Sequence, residues 1–204
     1  MVVQVFVSDS SNKECEGSAG FAVGMTKGLG VQILRCARWT HGRLSATSAE
    51  LVGVILALKL SKTMYSYRRT YGPLIFLTDS KHAVRFIDTE DNSEWNEPLV
   101  TLAKKELGAY RAIGLSARIV WTAREDPRIA VMDTVARFAR QGVASRNDVI
   151  PLDLLEAMHT SSALFSSHPE VKAAPVHQCS AVSTRGCALS TSAPRACSMW
   201  CITS

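Results

Sequence analysis

The stretch Leu74-Ile75-Phe76-Leu77-Thr78-Asp79-Ser80 decides how this chain folds. A short apolar run closed by an acid and a hydroxyl reads as a strand near the centre of a sheet, with Asp79 at its carboxyl end. Tyr71-Gly72-Pro73 breaks the chain before it, and Ser80 to Ile87 reads as a short helix after it. Working upstream, Ser45 to Tyr65 has helical spacing of Leu51, Val54, Ile55 and Leu58, with Ser45, Thr47 and Ser48 available to cap its start. Before that helix come three strands with short links: Val2 to Ser8, Gly20 to Met25 and Val31 to Trp39. Residues 10–18 read as a polar loop, and Lys27-Gly28-Leu29-Gly30 as a turn. Downstream, Glu97 to Ile113 reads as a longer helix, Leu115 to Trp121 as a fifth strand, and Ala130 to Arg140 as a last helix. The order β-β-β-α-β-α-α-β-α predicts an α/β fold. Its five-stranded mixed sheet has three antiparallel strands and then parallel crossovers, flanked by helices.

The 204 residues leave room for one domain and a remainder. Residues 1–145 are enough to bury a core, and residues 146–158 read as a linker or short helix. Residues 159–204, rich in Ser, Thr, Ala and Cys and without periodicity, read as a disordered tail. Cys179, Cys187, Cys197 and Cys201 lie in that tail without the paired C-x₂-C units of a zinc site. No apolar run reaches the ~20 residues that span a bilayer, and Val2 to Val7 is too short for a signal sequence. The expectation is an intracellular protein, in nucleus or cytoplasm, with no membrane partner. Residues 1–150 carry a net charge of +5, which suits a phosphate-backbone ligand but is also ordinary for a domain of this size.

Four carboxylates stand at the ends of these elements. Asp9 closes the first strand, and Asp79 closes the fourth. Glu50 lies in the first turn of the first helix, and Asp133 in the first turn of the last. Taken singly, each has an ordinary use. Asp79 can cap the helix that follows, Glu50 and Asp133 can complement helix dipoles, and Asp9 can sit in a turn. Taken together on this topology, they are expected to converge at the sheet centre, where only cations would stabilise so much negative charge. Two divalent ions held there can activate a water and stabilise a leaving oxygen in phosphodiester hydrolysis.

The order of these acids resembles the ribonuclease H family. Ser8-Asp9-Ser10-Ser11 is similar to the family's Thr-Asp-Gly-Ser, and Gly20-Phe21-Ala22-Val23 to its glycine-containing second strand. Ala49-Glu50-Leu51 through Ala57-Leu58 resembles its Ala-Glu-Leu helix, and Phe76 to Val84 its Thr-Asp-Ser strand end. Trp121 and Asp133-Thr134-Val135-Ala136-Arg137 resemble its closing motif. The resemblance covers roughly residues 2–142. It implies cleavage of the RNA strand of an RNA/DNA hybrid with two magnesium ions, manganese being able to substitute. It makes Asp9, Glu50, Asp79 and Asp133 both catalytic residues and metal ligands. It also places Ser10, Ser11, Ser45 and Thr47 where the family contacts the hybrid backbone. A retrotransposon setting, with a reverse transcriptase domain or subunit as partner, goes with it.

The chain departs from the family pattern in three places. Residues 122–132 contain no histidine, where many members have one before the last acid; Arg124, Glu125 and Asp126 stand there instead. Ser10 replaces a glycine. The segment Asp88 to Glu97 is acidic rather than a basic handle for substrate. These departures motivate an alternative, a catalytically inactive ribonuclease H-like module that binds nucleic acid or a partner protein. A third reading keeps the fold and changes the substrate to DNA, against which the Asp-Glu-Asp order argues.

Overall fold

A computed structural model describes residues 3–68, 72–89, 93–143, 149–169 and 171. Five strands form one sheet in the order β3-β2-β1-β4-β5. The strands are β1 (Gln4–Lys13), β2 (Ser18–Lys27), β3 (Gly30–Trp39), β4 (Leu74–Thr78) and β5 (Ala117–Trp121). β1 to β3 are antiparallel, whereas β1–β4 and β4–β5 are parallel. The helices are α1 (Ala46–Arg68), α2 (Lys81–Asp88), α3 (Glu97–Ala112), α4 (Pro127–Gln141) and α5 (Leu152–Ser167). The mixed sheet read from the sequence is therefore the one observed.

Alternation along each strand sends side chains to two separate cores. Phe6, Phe21 and Phe76 join Leu51, Ile55 and Leu58 of α1, Leu99 and Ala103 of α3, and Leu154 and Met158 of α5 on one face. The rings of Phe6 and Phe76 stack at 5.4 Å across the parallel pair. Val7, Ala22 and Leu77 meet Ile129, Met132 and Ala136 of α4 on the other. α4 comes close because β2 has glycine at 20: a Cβ there would lie 2.1 Å from the Ala136 carbonyl oxygen.

Several element boundaries differ from the sequence reading, each for a local reason. β1 runs on to Lys13 instead of ending before a loop, because β2 pairs with it as far as Lys13↔Ser18. Asp9 therefore lies within a strand, opposite Ala22. Its parallel neighbour β4 pairs only up to Val7↔Leu77, so the two strands part just before Asp9. α4 starts at Pro127, capped by the Asp126 side chain, which accepts from the Arg128 N–H. That earlier start puts Asp133 in the second turn rather than the first. Glu50 likewise follows Ala46 by four residues and lies in the second turn of α1. Neither acid is placed to complement a helix dipole.

The largest difference lies at the carboxyl end. α5 continues to Ser167, past the point at which the sequence reads as a disordered tail from residue 159. It packs on α3 and α1. Lys59 of α1 bridges Glu106 of α3 at 2.8 Å and Asp153 of α5 at 2.5 Å. The tail cysteines and residues 172–204 lie outside the described residues. Among the described residues, no helix is long and apolar enough to cross a membrane.

Candidate metal centre

Three of the four acids meet. Asp9, Glu50 and Asp79 each offer a carboxylate oxygen within 4.8 Å of the other two. Asp9 arrives from β1, Asp79 from the end of neighbouring β4, and Glu50 from α1, which joins β3 to β4 and packs against β1. The site thus sits at the carboxyl end of a parallel strand pair, where open α/β sheets bind their ligands. Asp79 is free for it because Ser80 caps α2, its Oγ accepting from the Ala83 N–H at 3.2 Å. Asp79 as the helix cap is thereby excluded. Asp9 is 3% exposed. Its Oδ1 accepts from the Ser10 N–H at 2.7 Å, and the Ser10 Oγ donates to Glu50 Oε1 at 2.6 Å. Ser10 thus touches two of the acids, and its hydroxyl bond to Glu50 is one a glycine could not make.

The electrostatics are those of an acid cluster that a nearby cation offsets only in part. Burial, then the Asp79 charge, pushes Asp9 up to about 7. Burial and the Asp9 charge hold Glu50 well above its ordinary range. Burial also raises Asp79, although Arg124 pulls it back. The Arg124 Nε stands 3.8 Å from Asp79 Oδ2, on a side chain that is 75% exposed. Glu50 Oε2 is buried without a hydrogen-bond partner among the described residues. A buried orphan oxygen within a set of hard oxygen donors is what a divalent cation such as magnesium or manganese would satisfy, so the residues fit such an ion.

Asp133 is not one of the three. Its Oδ2 accepts from the Arg137 guanidinium one turn on. Its charge still reaches the cluster and raises both Asp9 and Asp79. The serines and threonine read as backbone contacts have mixed placements. Ser10 serves Glu50, and the Ser11 Oγ accepts from the Arg140 Nε at 3.0 Å. The Ser45 Oγ accepts from the Ser48 N–H at 3.0 Å and so caps α1. Thr47 is half-buried in the first turn of α1. Sequence reasoning missed Lys81, which follows Asp79-Ser80 and lies over Trp121 beside the site. Its only signal was a cation immediately after an acid-serine strand end.

No family model matches the chain, and no curated protein matches it. Solved structures do. The N-terminal ribonuclease H domain of a Mycobacterium tuberculosis protein aligns with a TM-score of 0.55 and 19% identity, over 70% of this chain and 96% of that one. LC11 ribonuclease H1, isolated from compost by a metagenomic approach, was solved with an RNA/DNA hybrid. That complex aligns with a TM-score of 0.56 and 17% identity, over 68% of this chain and 97% of that one. The prototype foamy virus protease-reverse transcriptase aligns with a TM-score of 0.50 and 17% identity, over 72% of this chain and 21% of that one. These neighbours share the sheet order and flanking helices described above, and the chain has the ribonuclease H fold.

Proposed function

We propose that this protein is a divalent-metal-dependent endoribonuclease that hydrolyses the RNA strand of RNA/DNA hybrids. The observation that carries the reading is the meeting of Asp9, Glu50 and Asp79 at the parallel strand ends, with an orphan oxygen on Glu50. Asp9, Glu50 and Asp79 would hold magnesium, and Asp133 would contribute a weaker ligand once released from Arg137. Two bound ions would supply an activated water and stabilise the leaving oxygen. The residues themselves do the rest. Ser10 fixes the orientation of Glu50, and burial of Asp9 keeps the carboxylates from being solvated by bulk water. Arg124 adds positive charge at the open side of the site, in the loop where the family has its histidine. Ser11 and Thr47 would contact the hybrid backbone. The likeness to part of the prototype foamy virus protease-reverse transcriptase supports a retroelement setting with a reverse transcriptase partner.

The test is cleavage by the full chain with magnesium. Labelled RNA/DNA hybrid, single-stranded RNA and duplex DNA are compared, with Asp79→Asn as control. The reading expects the hybrid's RNA strand to be cut and the variant to lose about a hundred- to a thousandfold in rate, the scale of losing one preorganised charge-stabilising group. Equal cleavage by Asp79→Asn would sink it. Hybrid binding without cleavage would favour the inactive module instead.

A further inference from the structure

An open cleft of about 470 Å³ adjoins the acid cluster on its Asp79 side, between the start of α2 and the loop from β5 to α4. Lys81 forms one wall and Arg124 another, with Trp121 between them. The Lys81 Nζ stands 4.4 Å from the centroid of the Trp121 ring. The Trp121 indole N–H in turn donates to the Asp79 carbonyl oxygen at 3.1 Å. A lysine on a helix surface ordinarily sweeps through solvent. Here the ring holds the ammonium at a fixed place relative to Asp79. Among the described residues no carboxylate pairs with Lys81, and Trp121 remains 42% exposed. On the opposite wall, Arg124 reaches Asp79 only at 3.8 Å, a loose pairing that a cation bound to Asp79 would replace. Glu125 also lines the cleft, so its charge balance turns positive only when the Asp79 charge is taken up.

We propose that Lys81 and Arg124 form a phosphate subsite, with Trp121 as its floor, for the nucleic-acid strand lying on the acid cluster. It would hold a phosphate neighbouring the one under attack. This inference rests on the nucleic-acid reading above and names how the strand is gripped beside the acids. Phosphate contacts of this kind set register and carry no sequence information, which suits a site that must accept any hybrid. The acidic segment from Asp88 to Glu97 offers no such grip, so the cations beside the site take that task.

The experiment measures hybrid binding by the full chain, in calcium to hold back turnover, across a range of salt concentrations. Wild type, Lys81→Gln, Arg124→Gln, the double variant and Lys81→Arg are compared. Each loss of a phosphate contact makes the slope of log affinity against log salt shallower by about 0.9, and the two add in the double variant. Affinity at moderate salt falls roughly three- to tenfold for each. Lys81→Arg keeps the cation and the wild-type slope, and an unchanged melting temperature for Lys81→Gln separates loss of the phosphate contact from loss of packing on Trp121. Unchanged slopes in both glutamine variants overturn the subsite. Changed slopes in a protein that never cleaves uphold the subsite and remove only the catalytic reading.

Discussion

At the scale of single residues, the site depends on division of labour between neighbours. Ser80 takes the cap of α2, and this leaves Asp79 free to face Asp9 and Glu50. Ser10 takes one oxygen of Glu50 and leaves the other without a partner among the described residues. Asp79 and Glu50 were legible in the sequence because each closes or opens an apolar run whose period is clear. Asp133 was legible as an acid of the right motif, but its pairing was not. Arg137 lies four residues on, and at that spacing the motif's own arginine competes for the carboxylate. The cluster has a pH signature. The folded state raises Asp9 from 3.8 to about 7, so it binds more protons than the unfolded state between those values. The stability from that proton is complete below about pH 4 and is lost as pH rises through the folded value, about 7. Glu50 and Asp79 are raised too and add to the same fall, whereas the acids held low by cations titrate below it. Arg128 draws Asp126 down to about 2. Glu106 and Asp153 are held low by Lys59 despite the opposing effect of burial. In chelator, the melting temperature should therefore fall from pH 5 to pH 8, and Asp9→Asn should flatten that fall. A melting temperature that rises over this window, or an equal fall in Asp9→Asn, would contradict the electrostatics described for the cluster.

At the scale of elements, type and order were legible and several ends were not. Leu74 to Thr78 begins and ends as its apolar run indicates, because Pro73 and the Ser80 cap bound it. β1 overran its predicted end because pairing with β2 continues through polar residues, and ladder partners leave no mark on composition. α4 began earlier because Pro127 is a first-turn residue behind an Asp cap, although the charged residues around it read as loop. Gly20 ties these elements together. Its missing side chain admits the α4 backbone, with the Arg140 nitrogen 2.4 Å from where a Cβ would stand. Backbone cannot give way as a flexible side chain can. Gly20→Ala is expected to cost roughly 2 kcal/mol or more and to displace α4 with Asp133. Denaturant melts measure the cost, and a variant as stable as wild type would show that α4 can shift freely.

At the scale of the molecule, α5 belongs to the folded unit. Its buried face includes Leu154, Met158 and Phe165, but also Ser161 and Ser162. Those serines hid it, since a helix face that is part hydroxyl shows weak hydrophobic periodicity. The Ser161 Oγ donates to the Ser48 Oγ at 3.3 Å, beneath the start of the helix that carries Glu50. Phe165 packs against Trp95 at 5.7 Å, and Lys59 joins α1, α3 and α5 through two carboxylates. Phe165→Ala should cost about 3–5 kcal/mol. A chain ended at residue 150 should melt at lower temperature than the full chain, because the α1–α3 surface loses its cover. Equal melting temperatures would show that α5 adds nothing to the fold.

The central claim is that Asp9, Glu50 and Asp79 form a cation site, and manganese titration by calorimetry at pH 8 tests it most directly. The full chain should bind manganese with release of protons, and Asp79→Asn should bind at least tenfold more weakly while keeping its fold. Binding that is absent in the wild type, or that is unchanged by Asp79→Asn, would contradict the account.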